Sequence, residues 1–394
     1  MRYYLIAGEA SGDLHGANLM RALKEEDPSA EFRFWGGDAM AAVAGHAPVR
    51  HIRDLAIMGF VEVALHLRTV LGNIAFCKDD IADYMPHVIV GIDYPGFNLK
   101  IESWARQHGF RVIHYISPNL WAWKKGRIKG MRRTLDRLCY ILPFEQKFFA
   151  DNNFPQAVYV GHPLLDAIDS SQLSSFHKAS AEGTCSLCRA KETSTKLPLP
   201  SHLSTPVIAL LPGSRRMELK NSLPLMVQLA KRHPEFQFVV AGMSLLGEEA
   251  YRKYIPADSH IEVVYDKTYD LLSVAYAAVV CSGTATLETA LFNVPQVVCY
   301  RANPISIAIA KAVVSSRIRY ISLVNLIADS PIVTELIQED FNLARLEEEF
   351  RLITTDEANR TRMFTQYAQM RLLLGGGGAS RRTAHEILLV AQDQ

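Results

Sequence analysis

The residues best suited to chemistry in this chain lie where apolar runs stop abruptly at turn residues. Val88-Ile89-Val90-Gly91-Ile92 ends in Asp93, and Tyr94-Pro95-Gly96-Phe97-Asn98 follows. Such a run fits a parallel strand buried on both faces, Pro95 and Gly96 stop it, and ligands of open α/β sheets bind beyond the strands' carboxyl ends. Asp93 is then either a carboxylate delivered to an active-site edge or a cap on the following helix, because Asp serves readily at turns and N-caps. Spacing alone does not separate the two.

Two later turns suit anions. Leu210-Leu211-Pro212-Gly213-Ser214-Arg215-Arg216 sets a glycine, a hydroxyl and a guanidinium directly after a strand, and Arg215 can make paired hydrogen bonds to phosphate oxygens. Ser282-Gly283-Thr284-Ala285-Thr286 follows another strand and opens a helix, so backbone N–H groups and two or three hydroxyls can converge on a phosphate at the positive helix end. Together they suggest a diphosphate. Glu288, one turn into that helix, either complements the helix dipole or accepts both ribose hydroxyls of a nucleotide. A capping box would need Ser or Thr three residues earlier, where the chain has Ala285, and this favours the ribose. No Asp-x-Asp occurs, so a metal held by such a pair is unsupported, and the charge of a departing diphosphate falls to Arg215 and helix dipoles. Glycines at 8, 12 and 16 miss the G-x-G-x-x-G spacing, which argues against a nicotinamide cofactor; no cofactor is expected.

The elements that must position these groups alternate along the chain. Strands are expected at Tyr3–Ala7, Phe32–Trp35, Val88–Ile92, Arg111–Ile116, Leu138–Leu142 and Val158–Gly161, with helices near 14–25 and 99–108, giving a doubly wound domain over residues 1–168. Periodicity fails over 169–205, a linker or inserted loop. It restarts with strands at Val207–Leu211, Phe238–Ala241, Ile261–Val264, Ala278–Cys281 and Val297–Tyr300, a second domain over 206–374. Glycines 375–378 read as a flexible hinge, and a last helix over 379–394 can reach back to the first domain. Leu55 to Leu71 reads as an amphipathic helix. It is either buried or turned through Met58, Phe60, Val61 and Leu65 towards lipid chains, with Arg50, His51, Arg53 and Arg68 suited to anionic head groups. The basic run from Lys124 to Arg133 is a solvated face or a neutraliser of phosphate or lipid charge.

A chain of 394 residues, 49% hydrophobic and 21% charged, reads as globular and is too long for one ordinary core. The formal net charge of +1 supplies no basic field to recruit nucleic acid. Six cysteines, scattered apart from Cys185 and Cys188, fit free thiols in a reducing cytosol better than a zinc site or a disulfide framework. The apolar start is cut at Gly8, Glu9 and Asp13, too early for a signal peptide, and no later run has the length of a membrane span.

Six motifs in order carry a family resemblance: Gly8-Glu9-Ala10-Ser11-Gly12-Asp13, Gly91-Ile92-Asp93-Tyr94-Pro95-Gly96-Phe97-Asn98, Ser117-Pro118 with Trp121-Ala122-Trp123, Leu142-Pro143-Phe144-Glu145, Leu211-Pro212-Gly213-Ser214-Arg215 and Ser282-Gly283-Thr284-Ala285-Thr286-Leu287-Glu288. With them the chain resembles the lipid-A-disaccharide synthase family. The resemblance implies a GT-B glycosyltransferase, two Rossmann-like doubly wound domains facing across a cleft. It also implies transfer of 2,3-diacylglucosamine from UDP to the 6-hydroxyl of 2,3-diacylglucosamine 1-phosphate, with inversion to a β-1,6 disaccharide. Asp93 would be the general base, and Ser11 and Asn98 would position substrate or Asp93. Arg215 would hold the UDP phosphates, Ser282, Gly283 and Thr284 would cradle them, Glu288 would bind ribose, and Asn325 would face UDP from a turn in which Val324 replaces the family's proline. Substrates with acyl chains imply peripheral association with the cytoplasmic face of the inner membrane; a homo-oligomer is compatible with the resemblance. A UDP-N-acetylglucosamine 2-epimerase, or a non-catalytic UDP-sugar-binding membrane protein, would share the phosphate turns.

Overall fold

A computed structural model describes residues 1–55, 67–121, 126–168, 205–301 and 319–392. Met58, Phe60, Val61, Leu65, Trp123, Cys185, Cys188 and nearly all of 169–205 lie outside the described residues. Two compact units result: one holds Met1–Ala167 and the chain from Leu374 onward, the other the described residues between them.

In the first unit the strands are β1 (Arg2–Ala7), β2 (Glu31–Gly36), β3 (Arg50–His51), β4 (Val88–Ile92), β5 (Arg111–Tyr115), β6 (Arg137–Tyr140) and β7 (Ala157–Tyr159). They form a parallel sheet in the order β3-β2-β1-β4-β5-β6-β7. Tyr3 to Ala7 and Val88 to Ile92 are buried throughout, because successive side chains point to opposite faces and both faces are covered. On β5, His114 meets Glu102 of the helix Pro95–Gln107, whereas its neighbour Tyr115 meets Ser380 and Thr383 of the helix Ala379–Gln392. The two helices therefore cover opposite faces.

The C-terminal helix is fastened to this unit at its start. Asp166 accepts from the N–H groups of Gly378, Ala379 (3.3 Å) and Ser380 (2.7 Å), and Arg382 Nε donates to the Val160 carbonyl at 2.8 Å. The glycine run expected as a flexible hinge thus ends in a latched turn, with Gly375 and Gly378 at φ +76° and +93°.

The second unit contains β8 (Val207–Leu211), β9 (Gln237–Gly242), β10 (Glu262–Tyr265), β11 (Ala275–Cys281), β12 (Gln296–Tyr300) and β13 (Glu335–Ile337). This sheet is also parallel, in the order β10-β9-β8-β11-β12-β13. The short edge strands β3 and β13 went unread in the sequence, since two or three residues carry no periodicity. In each sheet the order reverses once, between β1 and β4 and between β8 and β11. Crevices open at such reversals, beyond the strands' carboxyl ends.

Candidate functional site

Asp93 stands at the reversal of the first sheet. β1 and β4 run in register to Ala7 opposite Ile92, so the loop Gly8–Glu9 and the turn Asp93–Tyr94 leave the sheet side by side. Both Asp93 and Tyr94 are left-handed, at φ +46° and +50°. Tyr94, not Asp93, occupies the N-cap of the helix Pro95–Gln107, with Pro95 opening its first turn. The Asp93 backbone is held on both sides: its N–H donates to the Tyr115 carbonyl at 2.9 Å, and its carbonyl accepts from Asn98 Nδ2 at 2.7 Å. Asn98 is fully buried and also donates to Ile6 O at 3.2 Å, tying the ends of β1 and β4 together.

Ser11 reaches the same edge in the first turn of the helix Ala10–Glu26. Two glycines permit this approach. A Cβ at Gly8 would lie 2.4 Å from the Tyr94 ring, and one at Gly12 would lie 3.3 Å from Ala7 Cβ. Asp13, from the same motif, serves the fold instead. Its carboxylate accepts from the N–H groups of Gly37 (2.7 Å), Ala39 (3.0 Å) and Met40 (3.1 Å) at the start of the helix Asp38–Ala44.

Three buried polar groups at or behind this edge were not singled out by sequence reasoning as acting there. Glu102 and His114 are fully enclosed, with Oε1 and Nδ1 2.6 Å apart. Burial pushes the His114 imidazole down, but the Glu102 carboxylate, the charge of Asp93 and the Ile116 backbone outweigh it, and the net shift is upward. Glu145, beyond β6, accepts from the Leu142 N–H at 3.3 Å and is pushed up to about 8 by burial. The Trp121 and Phe144 rings meet edge-on beside it at 5.1 Å.

At the reversal of the second sheet, the turns after β8 and β11 lie together. Gly213 adopts φ +109°, and the helix Arg216–Arg232 begins directly after Arg215. Here the Glu218 carboxylate fills the turn. Its Oε2 accepts from Ser214 N (2.8 Å) and Arg215 N (3.2 Å), while Oε1 lies 3.5 Å from Arg215 Nη1. The guanidinium is half exposed, at 48%.

After β11, the helix Thr284–Leu291 starts from Gly283 with no side-chain cap. The Ser282 hydroxyl donates to Ile321 O (3.2 Å) and that of Thr286 to Gly283 O (2.8 Å). Two of the hydroxyls expected around a phosphate thus donate to nearby backbone carbonyls, while the helix N-terminus at Gly283 and Thr284 has anion-binding potential of its own. Glu288 projects one turn on and accepts from the Tyr269 hydroxyl at 3.0 Å, and burial raises its carboxyl against that hydrogen bond. Tyr269 had no signal in the sequence.

Asn325 corrects an expectation. Its side chain is 1% exposed and turned inward: Nδ2 donates to Val333 O (2.8 Å) and Glu335 Oε1 (2.9 Å), and Oδ1 accepts from Val333 N (3.0 Å). Glu335 also accepts from the N–H groups of Ile321 and Ser322, so Asn325 holds the turn and its amide faces protein, not ligand.

With this geometry in place, a model of the lipid-A-disaccharide synthetase family matches residues 3–388. The chain belongs to that family. The lipid-A-disaccharide synthase of Trichlorobacter lovleyi is 33% identical over 99% of this chain and 98% of its own length. That of Chromohalobacter salexigens is 36% identical over 98% and 96%. Among solved structures, a UDP-GlcNAc 2-epimerase from Neisseria meningitidis bound to UDP-GlcNAc superimposes with a TM-score of 0.64 at 13% identity, covering 99% of this chain and 100% of that one. The glycotransferase of kitacinnamycin gives 0.60 at 14% identity, covering 99% of each chain. Such identities speak to fold alone, which is GT-B. The epimerase alternative is accordingly a relation of fold, while the synthase relation extends over the sequence of the family member itself.

Proposed function

We propose that this member of the lipid-A-disaccharide synthase family, a glycosyltransferase of lipid A disaccharide synthesis, uses Asp93 as general base and the turns after β8 and β11 as its UDP site. The observation that carries the reading is the pair of strand-order reversals: one presents Asp93 and the other presents Arg215, Gly283 and Thr284. The 6-hydroxyl of 2,3-diacylglucosamine 1-phosphate attacks the anomeric carbon of UDP-2,3-diacylglucosamine. A bond from O6 to C1 forms, the bond from C1 to the phosphate oxygen breaks, the hydroxyl proton passes to Asp93, and UDP leaves. One in-line displacement inverts the α-linked donor to a β-linked product. An aspartate is a weak base for an alcohol, so proton transfer is late and coupled to bond formation. Arg215 and the helix N-terminus at Gly283 meet the charge growing on the diphosphate, and Glu288, oriented by Tyr269, accepts ribose hydroxyls.

Both substrates carry acyl chains, which supports peripheral association with the cytoplasmic face of the inner membrane. The apolar run from Leu55 to Leu71 is the segment suited to it, and among the described residues no helix is long and apolar enough to cross a membrane.

The test is a transfer assay with both acylated substrates, reading disaccharide and UDP together. Asp93→Asn should lower turnover by roughly 10²–10⁴-fold while leaving calorimetric UDP affinity unchanged. Wild-type turnover by that variant would remove Asp93 from the base role. Arg215→Ala should weaken UDP binding about 10-fold or more, and an unchanged affinity would remove it from the phosphate site.

A further inference from the structure

The edge carrying Asp93 is backed by a buried polar column that the transfer reaction leaves unused. Asn98 and Glu102 stand one turn apart on the helix Pro95–Gln107, and His114 on β5 pairs in register with Gly91 on β4, two residues before Asp93. A Cβ at Gly91 would lie 2.2 Å from Glu102 Oε1 and 3.2 Å from Asn98 Cβ, so the strand makes room for the column with a glycine. A buried acid–imidazole pair is a poor device for stability, because the desolvation of two charges offsets most of their attraction and an apolar pair of similar volume does as well.

Independent support comes from the backbone. Left-handed non-glycine residues end both strands that the column joins: Asp93 and Tyr94 after β4, and the β-branched Ile116, at φ +71°, after β5. Such conformations are strained and persist only where their surroundings over-determine them. Asn98 supplies part of that restraint through Asp93 O, and the Ile116 N–H donates to Cys139 O at 2.9 Å.

We propose that Glu102 and His114 are positioning residues for Asp93, the pair fixing the strained strand ends and setting a positive charge behind the Asp93 carboxylate. Among the described residues, the charged groups facing His114 are Glu102 from the helix and Asp93 from the end of β4; Glu9, on the loop after β1, faces Tyr94 at the same edge. Asp93 favours the imidazolium, and the coupling is reciprocal, so the imidazolium favours the Asp93 carboxylate. The pair thereby keeps the base ionised and aimed. This inference rests on Asp93 acting as the base.

The experiment follows kcat and kcat/KM against pH for the wild type, His114→Gln, Glu102→Gln and the double variant, with UDP affinity measured in parallel. Loss of the imidazolium should move the acidic limb of kcat/KM to higher pH by about half a unit or more, and lower kcat several-fold, while UDP affinity stays within about twofold. Glu102→Gln, which keeps the side-chain volume, should move the limb the same way because it removes the anion that holds the proton on His114. The double variant should lose little more than either single variant. An acidic limb unmoved in both single variants would overturn the proposal, as would a loss of turnover matched by an equal loss of UDP affinity. Asp93→Asn in the same assay separates the two failures. If it still transfers at the wild-type rate, the base reading itself falls; if it is inactive and the limb is unmoved, only the positioning role falls.

Discussion

Glu145→Gln gives a sharp test of the electrostatics of the first unit. Glu145 is 1% exposed, and against burial it has hydrogen bonds from the Leu142 and Ile141 backbone and Ser117, which do not compensate. Burial pushes its carboxyl from 4.5 up to about 8. The sign follows from proton counting: between those values the folded chain holds a proton that the unfolded chain has released. Stability from this group is full below pH 4.5 and is lost as pH rises through about 8. The slope is about 1.4 kcal/mol per pH unit, so the wild type should lose about 3 kcal/mol from this group between pH 6 and pH 9. A glutamine does not titrate, and its profile should lack that loss. All four tryptophans, Trp35, Trp104, Trp121 and Trp123, fall within the first unit's stretch of sequence, so indole fluorescence in a urea titration isolates its unfolding from that of the second. The quantity to compare is the wild-type minus variant free energy at pH 6, 7, 8 and 9. Parallel profiles would refute the reasoning, since a carboxyl that ionises normally in its pocket leaves the difference constant.

His15 and His162 act in the opposite direction. Burial pushes them down to about 4, against the charge of Asp166, and to about 3, helped by the nearby His15. Their contribution is full above pH 6.5 and is lost as pH falls towards these values, about 2 kcal/mol each at pH 5. His162→Gln should flatten the acid slope in the same fluorescence assay, and an unchanged slope would exclude it. Asp166→Ala removes the acceptor for three N–H groups at the start of the helix Ala379–Gln392; hydrogen exchange there should speed up by an amount equivalent to about 1–2 kcal/mol, with exchange in β8 to β12 unchanged. Gly213→Ala puts a Cβ 2.4 Å from Glu218 Oε2 at a left-handed position, and should weaken UDP binding at least several-fold while costing about 1–3 kcal/mol of stability in the second unit. Wild-type behaviour in either property would show that the turn tolerates a side chain.

The two parallel sheets were legible in the sequence because strands buried on both faces must be continuously apolar, and turns that end such strands concentrate glycine, proline and small polar residues. The same rule marked Asp93 and the two anion-suited turns as residues at the ends of strands. Family membership was legible from six ordered motifs, since order and spacing along a chain are properties of sequence.

What sequence did not disclose is where side chains turn once strands are neighbours. Asn325 and the hydroxyls of Ser282 and Thr286 look like ligand-facing groups in one dimension, yet each finds a backbone or carboxylate partner supplied by residues distant in the chain or across a turn. Glu102 and His114 carry no motif that marks them as a pair. They meet only because β5 lies beside β4 and a glycine at position 91 leaves the gap between strand and helix. Chain order thus determined which residue types arrive at the sheet edges. Tertiary structure decided which of them keep a free face there, because a buried donor or acceptor takes the nearest partner, and nearness across a sheet is fixed by strand order and register, not by separation along the chain.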